Sequence, residues 1–190
     1  SGNWDVMGLN ATGSYDYVVE EQFVPDSFTY SLLEATPQRG GARYNIGLFA
    51  ITAAGHAGFA LGVGRRALDE VLALAKAKVR MGGFEPIANQ QMFQHDFAMH
   101  DAAMRAARAY VYESFVEAEQ VCDAGGVPDV VQQQRMRQST TYATRVAADA
   151  ARFAYTWAGS HGLRPGPIQR AFRDIHAGTQ HIYVDRSEEH

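Results

Sequence analysis

The chain has 190 residues, a formal net charge of -4, and 46% hydrophobic against 20% charged residues. This is one domain or slightly more, with enough apolar mass for a core, which excludes disorder and a collagen-like repeat. The acidic balance gives no support to non-specific nucleic-acid binding. A single cysteine, Cys122, excludes an internal disulfide. The most apolar stretch, from Ile46 to Val63, is broken by glycines and by His56, unlike a membrane span. No signal-like segment opens the sequence, so a cytoplasmic protein is expected.

In chain order, the aromatic and β-branched run from Tyr15 to Pro25 reads as one or two strands after a Gly13-Ser14 turn, and Trp4 to Leu9 as another. Two or three strands bury no core alone. Residues 1–40 are therefore expected to be the remnant of a β domain, and residues 41–190 a separate helical domain. A first helix is predicted from about Tyr44 to Arg80, with Leu61, Leu68, Leu72 and Ala75 on one face. Its glycines, Gly47, Gly55, Gly58 and Gly62, cost helix propensity and imply a close second backbone. Gly82-Gly83 ends this helix. A second is predicted from Pro86 to Cys122, ended by Gly125-Gly126. A third runs from Pro128-Asp129 to Trp157. A fourth follows Pro165-Gly166-Pro167 and breaks near Gly178. Long helices on short loops predict a mainly α protein, an up-down four-helix bundle with antiparallel neighbours.

The chemistry-bearing residues each have a plain structural reading as well. Asp96 and His100 share a helix face, but His95 and His100 diverge and no Glu-x-x-His pair exists, so no metal site is expected. His56, in an apolar helix, reads as a hydrogen-bonded core or interface residue. His176 and His181 flank the Gly178 break and form the most suggestive cluster, because helix ends border pockets and imidazole titrates near neutrality. Arg80 beside two glycines, and Arg170 and Arg173 before Asp174, suit a phosphate contact, yet ion pairing and helix capping explain the same pattern. No nucleophile elbow, phosphate loop or dinucleotide fingerprint is present.

Three segments in order give a more specific signal. They are Gly8 to Ser14 with Phe23-Val24-Pro25; Arg80-Met81-Gly82-Gly83-Phe84 with Gln91; and Pro167-Ile168-Gln169-Arg170 through Arg173-Asp174-Ile175-His176-Ala177-Gly178-Thr179-Gln180-His181. Together they resemble the C-terminal part of the acyl-CoA dehydrogenase superfamily, across nearly the whole chain. The first resembles the closing strands of that family's middle β domain. Aligned on the family's Gly-Thr, the sequence carries Ala177 where many dehydrogenases carry a catalytic Glu, and Tyr44 to Gly55 holds no carboxylate. Alanine cannot take a proton, and losing an acid-base group costs about 10²–10⁴-fold in rate.

The wording of the last segment is more similar to a sister branch, the two-component flavin-dependent monooxygenases. That resemblance implies FAD or FMN, supplied reduced by a partner flavin reductase, and hydroxylation of an aromatic or polycyclic small molecule with O2. It implies His181 as the acid-base residue, Arg80 and Gln91 as flavin contacts across a subunit interface, and Thr179 as a residue near the flavin. It also implies a homo-oligomer, a dimer or tetramer, formed through the bundle. Two departures stand out. The family's Phe-Gly is inverted to Gly83-Phe84, and its glycine-rich Gln motif is reduced to Thr156–Leu163 without the Gln. Two other readings remain open at this point: an acyl-CoA dehydrogenase or oxidase with its base elsewhere, and a non-catalytic helical oligomerisation module.

Overall fold

The computed structural model describes residues 4–30 and 39–184. Four helices dominate: α1 Leu48–Ala77, α2 Gln91–Asp123, α3 Val130–Ala158 and α4 Pro167–Gly178. Local signals account for their ends. Gly47 stands at φ 91°, a conformation glycine adopts without strain, and it separates α1 from the 3-10 turn Ala42–Ile46. The first helix therefore starts later than Tyr44. It also stops before Arg80, because Lys78 is extended and Val79 pairs with Pro86 in an isolated antiparallel bridge. Pro86 opens a 3-10 turn, Ile87–Asn89, rather than α2 itself. Asp129 caps α3: its carboxylate accepts from the Gln132 N–H at 2.8 Å while the Gln132 side chain accepts from the Asp129 N–H at 3.0 Å. Pro167 occupies the first turn of α4, where no N–H is needed.

Side-chain contacts fix the directions. Thr140 of α3 donates to the Ala53 carbonyl of α1, and Lys78, just past α1, donates to the Ala158 carbonyl ending α3. So α1 and α3 run parallel. Ser114 meets Ser139, Glu117 meets Arg135 and Phe93 meets Trp157, so α2 is antiparallel to α3. Tyr155 stacks on Phe172, and Thr141 bonds the Tyr183 carbonyl, so α4 also runs against α3. This is the expected up-down bundle, with one difference. The most extensive packing is between the parallel pair α1 and α3, not between sequence neighbours α1 and α2.

Small side chains allow that approach. Ala57, Ala60, Gly64 and Ala67 of α1 are buried in the same core as Ala143, Ala147 and Ala151 of α3. A Cβ on Gly64 would lie 2.9 Å from the Ala147 Cβ and 2.8 Å from Met104 Cε. Larger groups, Leu68, Phe93, Met136 and Ile175, fill the rest, each contributing about 1.5–3 kcal/mol of burial. Gly55, Gly58 and Gly62 do not serve this contact. They are exposed, and a Cβ added at any of them would meet nothing within 4 Å.

The strands expected over Trp4–Leu9 and Tyr15–Pro25 do not form among the described residues. The chain there has no neighbouring strand to complete a ladder, and an unpaired strand is not stable in water. Residues 4–10 instead dock on α4. The Leu9 N–H donates to Asp174 Oδ1 at 2.8 Å, and Gly8 lies so close to the Arg173 carbonyl that no Cβ fits between them. Tyr17, Val18, Phe23, Phe28 and Tyr30 stay exposed.

Candidate functional site

The turn after α4 brings together aromatic rings from two elements. Gly178 ends the helix against Phe59 of α1, where a Cβ would come within 2.7 Å of the Phe59 ring. The chain then folds back so that His181 faces α1. The His181 ring lies 4.7 Å from the His56 ring at 30° and 5.1 Å from the Tyr183 ring at 24°. Phe59 lies 5.8 Å from His56, and Phe49 meets the edge of Tyr183 at 6.1 Å. The Tyr183 N–H donates to His181 Nδ1 at 3.4 Å, a long, weak bond.

The two histidines differ in setting. His181 is exposed. His56 is half-buried, and its Nε2 is shielded from solvent without a hydrogen-bond partner. Burial, and secondarily the neighbouring His181, lower the His56 pKa from its ordinary 6.5 to about 4. At neutral pH His56 is therefore uncharged. Among the described residues no carboxylate bonds to either ring; Asp174 of α4 is held by the Leu9 amide. The two rings touch without a hydrogen bond between them, and no fixed negative charge among the described residues bonds to either.

At the other end of the bundle a second group forms. Val79 to Pro86 makes a tight turn through Gly82 at φ 79°. The Arg80 guanidinium packs 4.9 Å over the Trp157 ring, with Met81 and Phe84 fully exposed beside it. Gln91 opens α2 at the same end and is exposed. Most of the length of α1 separates this group from His181, roughly 30 Å at 1.5 Å per residue.

A family model described as "Acyl-CoA dehydrogenase, C-terminal domain" matches residues 54–186. The chain belongs to this family. It is 35% identical over 190 residues to indole-3-acetate monooxygenase of Pseudomonas putida, covering 95% of this chain and 46% of that protein. A protein of the same name from Acinetobacter baumannii is 29% identical over 188 residues, again 95% and 46%. Among solved structures, 3-HSA hydroxylase from Rhodococcus sp. RHA1 superposes with a TM-score of 0.85 at 23% identity, covering 97% of this chain and 49% of that one. XiaF from Streptomyces sp., solved in complex with FADH2 and glycerol, gives 0.85 at 19% identity, covering 96% and 48%. The chain thus spans about half the length of the relatives it matches.

This acyl-CoA dehydrogenase C-terminal domain therefore has its four sequence-predicted site residues in two places. Thr179 and His181 share the turn after α4, and Arg80 and Gln91 share the far end. Thr179 donates its hydroxyl to the His176 carbonyl at 2.6 Å and borders a groove of about 390 Å³ between α3 and α4. Arg145, Arg152 and His176 also line that groove. Arg152 pairs with Asp149 at 3.3 Å, and the His176 ring contacts the Phe172 carbonyl at 2.6 Å. His95 is exposed against Asp96, whereas His100 stacks on Phe153 at 4.7 Å and burial lowers its pKa. The described residues hold no metal-ligand cluster. No helix among them is long and apolar enough to cross a membrane.

Two features of the site are not visible in the sequence. His56, expected to be hydrogen-bonded, instead backs His181 with its Nε2 unpartnered. The groove arginines, Arg145 and Arg152, sit seven residues apart on one face of α3, a spacing that the sequence shows but that carries no motif.

Proposed function

We propose that this domain is the C-terminal bundle of a flavin-dependent monooxygenase that hydroxylates an aromatic or polycyclic small molecule. The observation that carries the reading is the ring cluster around His181, in a chain whose relatives over nearly its whole length are named as monooxygenases and hydroxylases. A dehydrogenase would need a carboxylate base here, and Ala177, His56 and His181 provide none. Residues 1–40 are assigned to the end of a preceding β domain, which would cover the exposed Tyr17, Phe23 and Phe28.

Reduced flavin, delivered by a separate reductase, supplies the electrons that activate O2. FADH2 in XiaF supports FAD over FMN for this chain. The residues fit such a group only across two chains. An exposed guanidinium on an aromatic platform suits a pyrophosphate, but Arg80 lies too far from His181 for one chain to offer both. Arg80 and Gln91 of one protomer would then hold the phosphate part, while Thr179 and His181 of a second border the ring. This arrangement requires a homo-oligomer, and a tetramer in the cytoplasm is the expected form. The exposed Gly55, Gly58 and Gly62 face of α1 supports close packing of copies.

His181 handles the proton. Delivering oxygen to a phenol-like ring needs a proton accepted from the substrate hydroxyl and one donated to the departing oxygen. The exposed imidazole accepts one weak backbone bond at Nδ1, which leaves its other nitrogen open for this exchange. Phe49, Phe59 and Tyr183 give aromatic walls around the His56–His181 pair. The test is His181→Ala in the full-length protein. Hydroxylation is expected to fall by about 10²-fold or more while reduced flavin still binds. An unchanged product yield removes His181 from the reaction.

A further inference from the structure

His56 holds a polar atom where packing asks for none. Its Nε2 is shielded and unpartnered, and such atoms are uncommon because they lose water without gaining a bond. A phenylalanine would fill the same space between Phe59 and His181 and leave nothing unpaired. The imidazole is therefore not explained by packing alone.

What surrounds it limits the alternatives. From the turn after α4 it faces the His181 ring, with Tyr183 stacked on His181 in turn. From its own helix it meets Phe59. On α4, His176 is occupied with the Phe172 carbonyl and Asp174 with the Leu9 amide. On α3, Thr141 bonds the Tyr183 carbonyl, and Arg145 lines the groove that Gln180 borders. No carboxylate among the described residues bonds to His181 to stabilise its charged form. Its ring contacts among the described residues are Tyr183 and His56 alone.

We infer that His56 is a positioning residue for His181, its imidazole stacked beside the His181 ring and its unpartnered Nε2 the acceptor for an N–H of His181 when that ring is fully protonated. The place of this pair in the reaction rests on the monooxygenase reading; the pairing itself does not. The rings now pack face-on at 4.7 Å and 30°, so an N–H···N bond between them requires one ring to turn edge-on to the other. His56 can serve as the acceptor because it stays uncharged: burial and His181 hold it near 4. His181 is the exposed member of the pair, the one that meets solvent and substrate. Stabilising a proton there without a carboxylate lets His181 accept it from a phenol and still give it up.

The first experiment is an NMR titration of the histidine-labelled 190-residue chain, which requires no reaction. The wild-type chain is expected to show ring-to-ring contacts between His56 and His181 and a His56 midpoint near 4. In His181→Ala that midpoint is expected to rise by at least about half a pH unit, since a neighbouring like charge and part of the burial are removed. No ring-to-ring contact, or an unmoved midpoint, overturns the pairing. The second experiment uses the full-length protein loaded with reduced flavin. His56→Phe keeps the ring and removes the acceptor. It is expected to lower product per flavin oxidised by about tenfold, to move the acid limb of the pH profile, and to leave flavin affinity within about twofold. His56→Gln, which restores an acceptor, is expected to recover part of the yield. A His56→Phe protein with wild-type yield and profile overturns the role. Failure of the monooxygenase reading would appear differently, as no hydroxylated product from the wild type or any variant alongside an intact NMR coupling.

Discussion

At His56 the fold keeps an imidazole uncharged that would be half protonated near pH 6.5 in an unfolded chain. The consequence for stability has a definite sign. Between pH 6.5 and about 4 the unfolded chain binds a proton that the folded chain refuses. The stability contributed by the neutral ring is therefore complete above 6.5 and is lost as pH falls toward 4. After discounting for the ring's partial exposure, the loss is on the order of 1–2 kcal/mol. Urea midpoints measured at about pH 7.5 and about pH 4.5 are expected to fall further for the wild type than for His56→Phe. Equal losses would mean that other groups carry the acid dependence. The same residue shows where reading from sequence stops. His181 is legible because it follows a Gly-Thr break in a matching segment. His56 is not, because nothing local marks which ring meets another from the far end of the chain.

At the scale of elements, most helix ends are legible because their causes are local. Asp129 with Gln132, Pro167 and the Gly82-Gly83 turn each act within a few residues. Asp129→Ala is expected to cost about 1 kcal/mol, measured by chemical denaturation. Less legible is which helices touch. Short loops argue for antiparallel neighbours, but alanines and Gly64 draw the parallel pair α1 and α3 together. Two substitutions separate the roles of the α1 glycines. Gly64→Val forces a side chain into Met104 and Ala147 and is expected to destabilise the chain by about 1–3 kcal/mol. Gly58→Ala points into open space and is expected to stabilise an isolated chain by about 0.5–1 kcal/mol. If that face is covered by another copy, Gly58→Ala will also weaken the assembly, which sedimentation would register as a shift toward smaller species. The strands expected near the start fail for the opposite reason. Alternating aromatic residues favour an extended chain, but only a neighbouring strand makes a sheet, and Tyr17 and Phe23 have none within the described residues.

For the whole molecule, the separation of Arg80 from His181 sets the test of the proposed two-chain site. If Arg80 of one chain and His181 of another serve a single flavin, two defective chains can repair each other. Proteins carrying Arg80→Ala alone and His181→Ala alone are each expected to lose most hydroxylation. Mixed and reassembled, they should recover about a quarter of the sites in a two-chain arrangement, by random pairing of partners that each contribute one intact half. No recovery after confirmed subunit exchange would mean that Arg80 and His181 do not meet in one site across two chains.

Whether this bundle serves oxygen transfer rather than acyl-CoA oxidation is decided most directly by one measurement. The full-length protein is loaded anaerobically with reduced flavin and mixed with oxygen while the flavin absorbance is followed. Tight binding of the reduced form is expected, with a return to the oxidised spectrum through a separate, oxygen-dependent species. Tight binding of oxidised flavin, bleached on adding an acyl-CoA thioester and indifferent to oxygen in this way, would contradict it.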